Sequence, residues 1–224
     1  MTERPMTSQR QLITRRRSRI QRWRAIPALL MAIALSVATG GIAGAQEASP
    51  VPTESAVAII PSPIGDPRPA PDLPGLINPD LTSFDLSELE GSPVLLYFGY
   101  THCPDVCPAT LGEIFGVWEV IPEMQAVYVT VDPERDTPEF LAEWTRYLPE
   151  NLHALTGSPG AIRLSAENYG VRYARVETTS TSGYAMSHTA DLYLIDEHGQ
   201  LLLSYPFGTP AAEIAADIAT LQAD

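Results

Sequence analysis

Two short apolar runs, Val94–Tyr100 (VLLYFGY) and Ala126–Val131 (AVYVTV), bracket a segment in which Leu111, Ile114 and Trp118 recur at helical spacing. Runs this short, apolar at consecutive positions and rich in β-branched and aromatic residues, fit strands buried on both faces. They predict two neighbouring central strands joined by a helix over 108–118. Further along, Thr137-Pro138 offers an N-cap and a first-turn proline to a stripe of Phe140, Leu141, Trp144 and Leu148. Ser158-Pro159 opens a third helix that closes near Gly170, and Thr209-Pro210 a fourth with Ile214, Ile218 and Leu221 on one face. Asp191–Ile195 and Leu201–Tyr205 flank Asp196-Glu197-His198-Gly199, a hairpin signal. Apolar runs alternating with helical stripes predict an α/β layer fold whose mixed central sheet, parallel early and antiparallel late, is flanked by helices.

The pattern differs upstream of residue 78. Arg-rich residues 4–24 precede an uncharged run from Ala25 to Gln46 ending near Ala43-Gly44-Ala45. That order matches a secretory signal with a small-residue cleavage site, and the same run is long enough for an uncleaved anchor. Arg15-Arg16 also permits a twin-arginine export reading, though a weaker one. The positive-inside rule keeps the arginines in the cytoplasm and sends the rest of the chain out, facing outside or into a periplasm. Residues 46–79 contain nine prolines and little periodicity, which predicts a semi-extended tether. The expected organisation is a signal or anchor over 1–45, a Pro-rich linker over 46–77 and a folded domain over 78–224, with membrane contact confined to the N-terminal segment.

Charge narrows the range of partners. The chain has 224 residues, 14 basic and 27 acidic. Eight of the arginines lie at or before Arg24, so the rest holds six arginines, no lysine and 26 acids. Nucleic-acid affinity depends on cationic neutralisation of phosphate, so such a body excludes nucleic acid as a partner.

The only two cysteines, Cys103 and Cys107, lie in Tyr100-Thr101-His102-Cys103-Pro104-Asp105-Val106-Cys107-Pro108, between the end of a central strand and the start of a helix. Parallel sheets place ligands at that edge. With Pro108 as the first helical residue, Cys107 falls near the N-cap and Cys103 in the preceding loop, where free N–H groups and the helix dipole would favour thiolate at both. A purely structural disulfide is a poor explanation, because so short a loop gains little from closure. A reversible disulfide and a soft metal site both fit the spacing. Of the four histidines, His153 and His198 read as surface residues and His102 adjoins Cys103. His188 stands at the mouth of a late strand, after the polar loop 177–183. Two thiolates and one imidazole would suit Cu(I) better than structural zinc, which takes four protein ligands. Met186, on the same strand face as His188, is a soft atom better explained by packing. Asp132-Pro133-Glu134-Arg135-Asp136 reads as an ion-paired loop capping the next helix through Asp136 or Thr137, and not as ligands.

The stretch Tyr97–Pro108 (YFGYTHCPDVCP) resembles the signature of the Sco (SenC) family of thioredoxin-like copper chaperones. Val131–Pro138 (VDPERDTP), Leu155–Ser158 (LTGS) and His188-Thr189 ahead of Tyr193–Asp196 are similar to further family blocks in the same order, over about residues 80–224. The resemblance implies a thioredoxin-like domain held by an N-terminal helix outside the cytoplasm. It also implies copper, as Cu(I) or Cu(II), bound by Cys103, Cys107 and His188. The acceptor it implies is the binuclear copper centre of cytochrome c oxidase subunit II or a similar cuproprotein, with other copper carriers or thiol reductants as further partners. Two positions depart from the pattern: Ser187 stands where the family usually has Asp before its ligand His, and residues 81–93 are shorter than the usual Gly-rich opening hairpin. The competing reading is a thiol-disulfide oxidoreductase that reduces the acceptor's cysteines through Cys103 and Cys107 without needing His188. A peroxidase ranks third, because its Thr-x-x-Cys pattern is missing.

Overall fold

In the computed structural model, residues 62–179 and 183–223 are described; the signal or anchor segment and the first part of the linker lie outside them. The fold grows from β3 (Val94–Gly99) and β4 (Gln125–Thr130), which pair in parallel, with β5 (Leu152–Gly157) parallel to β4 on the far side. All six residues of β3 are buried. The other flank of β3 takes β8 (Leu192–Ile195) antiparallel, and β9 (Gln200–Tyr205) comes next through the expected hairpin. Edge strands β1 (Ser62–Pro69) on β9 and β2 (Leu76–Ile77) on β5 complete a seven-stranded mixed sheet in the order β1-β9-β8-β3-β4-β5-β2.

Among the described residues, four α-helices connect and cover the sheet: α1 (Val106–Trp118), α2 (Pro138–Thr145), α3 (Pro159–Asn168) and α4 (Ala211–Leu221). The starts of α2 and α3 follow from their caps. Thr137 Oγ1 accepts the Phe140 N–H at 3.3 Å and Ser158 Oγ accepts that of Ala161 at 3.2 Å, each ahead of a first-turn proline. Gly170, at φ +71°, closes α3 in the left-handed conformation that glycine adopts without strain. The α/β reading with a mixed sheet flanked by helices therefore stands. No helix among the described residues is long and apolar enough to cross a membrane.

Three expectations shift. Residues 62–69, assigned to the tether, form a strand paired with β9, and residues 76–77 pair with β5, so ordered structure begins ahead of residue 78. Proline suits such an edge, where missing N–H groups need no partner, and the register slips between Pro63 and Arg68. The first helix starts at Val106 rather than Pro108, which places Cys107 inside its first turn. The polar loop before His188, whose residues 180–182 lie outside those described, is flanked by two further strands, β6 (Tyr173–Glu177) and β7 (Tyr184–His188), paired with each other outside the main sheet.

Candidate metal centre

The β3–α1 corner carries both cysteines. Asp105 is the N-cap of α1 but its side chain makes no capping bond. The Cys107 N–H instead donates to Cys103 Sγ at 3.4 Å, so sulfur occupies the place of a capping oxygen. Both cysteines are free thiols. Burial works to raise the Cys103 pKa, but backbone N–H groups of Asp105 and Cys107, with the Cys107 and Tyr100 side chains, outweigh it and hold the thiol below its ordinary value. Cys107, 2% exposed, is pushed up to about 12 by burial, against the weaker pull of the Tyr97 hydroxyl beside it and of the Tyr100 backbone. The expectation of thiolate at both positions is therefore corrected: the helix end favours it at Cys103, and desolvation defeats it at Cys107.

His188, the last residue of β7, completes the group. Its Nε2 lies 3.5 Å from Cys107 Sγ, and the ligand-type atoms of Cys103, Cys107 and His188 all lie within 4.8 Å of one another. Nδ1 sits 2.9 Å from the Thr189 carbonyl oxygen. A carbonyl only accepts, so Nδ1 carries the proton and Nε2 presents a lone pair to the sulfurs. Burial lowers the His188 pKa, with backbone hydrogen bonds opposing it, which keeps that lone pair free near neutral pH. Tyr97 and Tyr100 meet the imidazole edge to face at 6.0 and 5.9 Å. Metal bonds of about 2.0 Å to nitrogen and about 2.3 Å to sulfur would set three trigonal ligands roughly 4 Å apart, so the group needs only small adjustments to close on a soft ion.

The Asp132–Asp136 turn locks this arrangement in place. Asp136, fully buried, accepts the Thr101 N–H at 3.0 Å, the Thr101 hydroxyl at 2.5 Å and the Thr130 hydroxyl at 2.6 Å. It ties the cysteine loop to the end of β4 and leaves capping of α2 to Thr137. Asp132, also buried, pairs with Arg135 and accepts the Tyr184 hydroxyl at 2.8 Å. Arg135 also donates to the Tyr184 carbonyl at 3.1 Å. The Tyr184 ring is sandwiched between the Arg135 and Arg175 guanidinium groups at 3.8 and 3.7 Å, which docks the hairpin of His188 on the turn. The ion-paired reading of this turn was legible in the sequence; its attachment to Thr101 and Tyr184 was not, since those contacts span 35 and 52 residues.

The remaining histidines lie apart from the thiols. His102 turns toward Asp136 at 3.6 Å and packs on Phe140. His198 is exposed in its turn, as expected. His153 is half-buried rather than on the surface, with Nε2 3.0 Å from Gln125 Oε1 and its ring against Phe84. Met186 packs against the core. Tyr97, Tyr100, Tyr128 and Tyr184 are the neighbours that sequence reasoning missed, because nothing local distinguishes a tyrosine behind a thiol from any core tyrosine.

A family model described as SCO1/SenC matches residues 75–223. An SCO2-like protein of Rickettsia prowazekii is 34% identical over 144 residues, which is 62% of this chain and 70% of that protein. The structure of Bradyrhizobium japonicum ScoI with copper bound is 32% identical with a TM-score of 0.59, covering 68% of this chain and 99% of that one. The crystal structure of Arabidopsis thaliana ScoI with copper bound is 27% identical with a TM-score of 0.64, covering 70% and 100%. With the family match spanning well over half its length and the Cys-Cys-His group assembled on a thioredoxin-like sheet, the chain belongs to the SCO1/SenC family.

Proposed function

We propose that the domain is a copper carrier, with Cys103, Cys107 and His188 as its ligands. The observation that supports this most strongly is the convergence of two sulfurs and an unprotonated imidazole nitrogen within 4.8 Å. The copper-bound state of the two ScoI structures supports the identity of the ion. Cys103 is the partly exposed ligand and Cys107 the buried one, so an acceptor's own Cys and His side chains would meet the ion from the Cys103 side and replace the protein's ligands in turn. The resemblance to copper chaperones points to the binuclear centre of cytochrome c oxidase subunit II, or a similar cuproprotein, as that acceptor. The N-terminal segment would export the domain and either hold it on the outer face of the membrane or release it after cleavage near Ala45.

Competition titration of the reduced protein with Cu(I) against a chelator tests the assignment. One-to-one binding is expected, lost in a Cys103→Ser, Cys107→Ser variant and weakened at least tenfold, about 1.4 kcal/mol, by His188→Ala. Weak binding indifferent to His188 would contradict it.

The asymmetry of the thiols favours one second reading. Cys103 thiolate attacks an acceptor disulfide and expels one acceptor thiolate; Cys107 then attacks Cys103 and expels the other, so two electrons pass to the acceptor and a Cys103–Cys107 disulfide remains. Stoichiometric reduction of an acceptor disulfide that His188→Ala leaves intact would support this activity.

A further inference from the structure

Behind the buried thiol lie two hydroxyl groups that take no part in ligating the ion. Tyr97 and Tyr128, 0% and 1% exposed, have no hydrogen-bond partner of normal geometry for their Oη atoms among the described residues. A buried hydroxyl without a partner costs about 1–3 kcal/mol, so two orphans side by side need a reason. Their placement supplies one. A Cβ added to Gly99 would stand 2.6 Å from Tyr97 Cε1, 2.9 Å from Tyr128 Oη and 3.2 Å from Cys107 Sγ, so both phenols and the sulfur surround one point that only glycine leaves open. The two rings are 5.8 Å apart, and Trp144 closes over Tyr128 at 5.0 Å. The polar side chains nearest to them make other hydrogen bonds. The Thr110 hydroxyl donates to the Val106 carbonyl at 3.0 Å, and Asp136 already accepts from Thr101 and Thr130.

We propose that Tyr97 and Tyr128 are positioning residues whose hydroxyl groups donate to Cys107 Sγ when that sulfur is a metal ligand. The inference rests on the copper reading of the site. A neutral thiol is a weak acceptor, which leaves the phenols poorly satisfied in the metal-free protein. A metal-bound thiolate accepts charge-assisted bonds, and donors to a ligand atom hold it in place and tune its donation to the ion. Part of what the metal-free fold loses in orphaned hydroxyls is thus recovered on loading.

The test compares Tyr97→Phe, Tyr128→Phe and the double variant with the native protein in three measurements: Cu(I) competition, the thiolate-to-Cu(II) charge-transfer absorption, and denaturant unfolding without metal. The double variant is expected to bind Cu(I) at least tenfold more weakly. Its absorption should move to lower energy, because sulfur lone pairs rise when their donors are removed. Metal-free stability should stay level or rise, because an unsatisfied group has gone; a purely structural pair of tyrosines would instead lower it. Native-like affinity and an unmoved band would overturn the inference and leave the copper reading standing. A native protein that binds no Cu(I) would overturn both.

Discussion

The two halves of the candidate metal centre are built differently. The cysteine half is part of the core: Cys107 sits in the first turn of α1 against fully buried β3, and Asp136 fastens the preceding loop through two hydrogen bonds from Thr101 and a third from Thr130 at the end of β4. The histidine half is an appendage. His188 ends a hairpin outside the main sheet whose β6 residues Ala174–Glu177 are exposed, held by the Tyr184 clamp and by Thr189–Arg172 bonds at 2.9 and 3.2 Å. Regions with few buried contacts open locally at low cost, whereas core elements open only with the whole fold. On the proposed carrier reading, the difference assigns an order of release: the sulfurs stay fixed in the core and the imidazole, held on the part that opens, leaves first.

Removing the fastening of the rigid half should have the largest effect. Asp136→Ala strands the Thr101 N–H and the Thr130 hydroxyl, and urea unfolding of the metal-free protein should show a loss of about 3 kcal/mol or more. A loss under about 1 kcal/mol would show that the cysteine loop is held by something else.

Protons should separate the halves next. Cys107, at about 12, keeps its proton at neutral pH, so loading must displace it, while His188 is already unprotonated there. Lower pH therefore opposes binding: apparent Cu(I) affinity should fall at least tenfold, about 1.4 kcal/mol, from pH 8 to pH 7. The slope belongs to the cysteine half, so His188→Ala should lower the affinity at each pH and leave the slope intact. A slope that disappears with His188 would reverse the assignment of the protons.

The smallest effect should come from the hairpin. Tyr184→Phe removes the bond to Asp132 and keeps the ring between its two arginines, for about 1 kcal/mol. Amide exchange should quicken over residues 184–188 and stay native-like in β3 and α1. Uniform quickening would mean that the hairpin unfolds only with the core.

The same contrast governs what the sequence could reveal. β3, β4 and the β8–β9 hairpin were legible because buried strands leave unbroken apolar runs, and α2 and α3 because Thr137-Pro138 and Ser158-Pro159 announce their starts. The β6–β7 hairpin was hidden: it buries little, so Tyr173–Glu177 carries no two-residue alternation strong enough to read. β1 was masked by its prolines, which an edge strand tolerates. At the candidate site, Cys103 and Cys107 stand out as the only two cysteines, in a strand-to-helix turn. The depth of Cys107, the tautomer of His188 and the work of Asp136 depend on contacts 35 to 81 residues apart, or on a backbone carbonyl, and no local pattern encodes them.

The most direct test of the central claim, that these two unlike halves close on one copper ion, is X-ray absorption at the copper edge of the Cu(I)-loaded native protein and of His188→Ala. Two sulfur scatterers and one nitrogen in the native protein, with the imidazole signal absent from the variant, is the predicted result. Two sulfurs alone in both proteins, with identical spectra, would show that the hairpin contributes no ligand and would contradict the account.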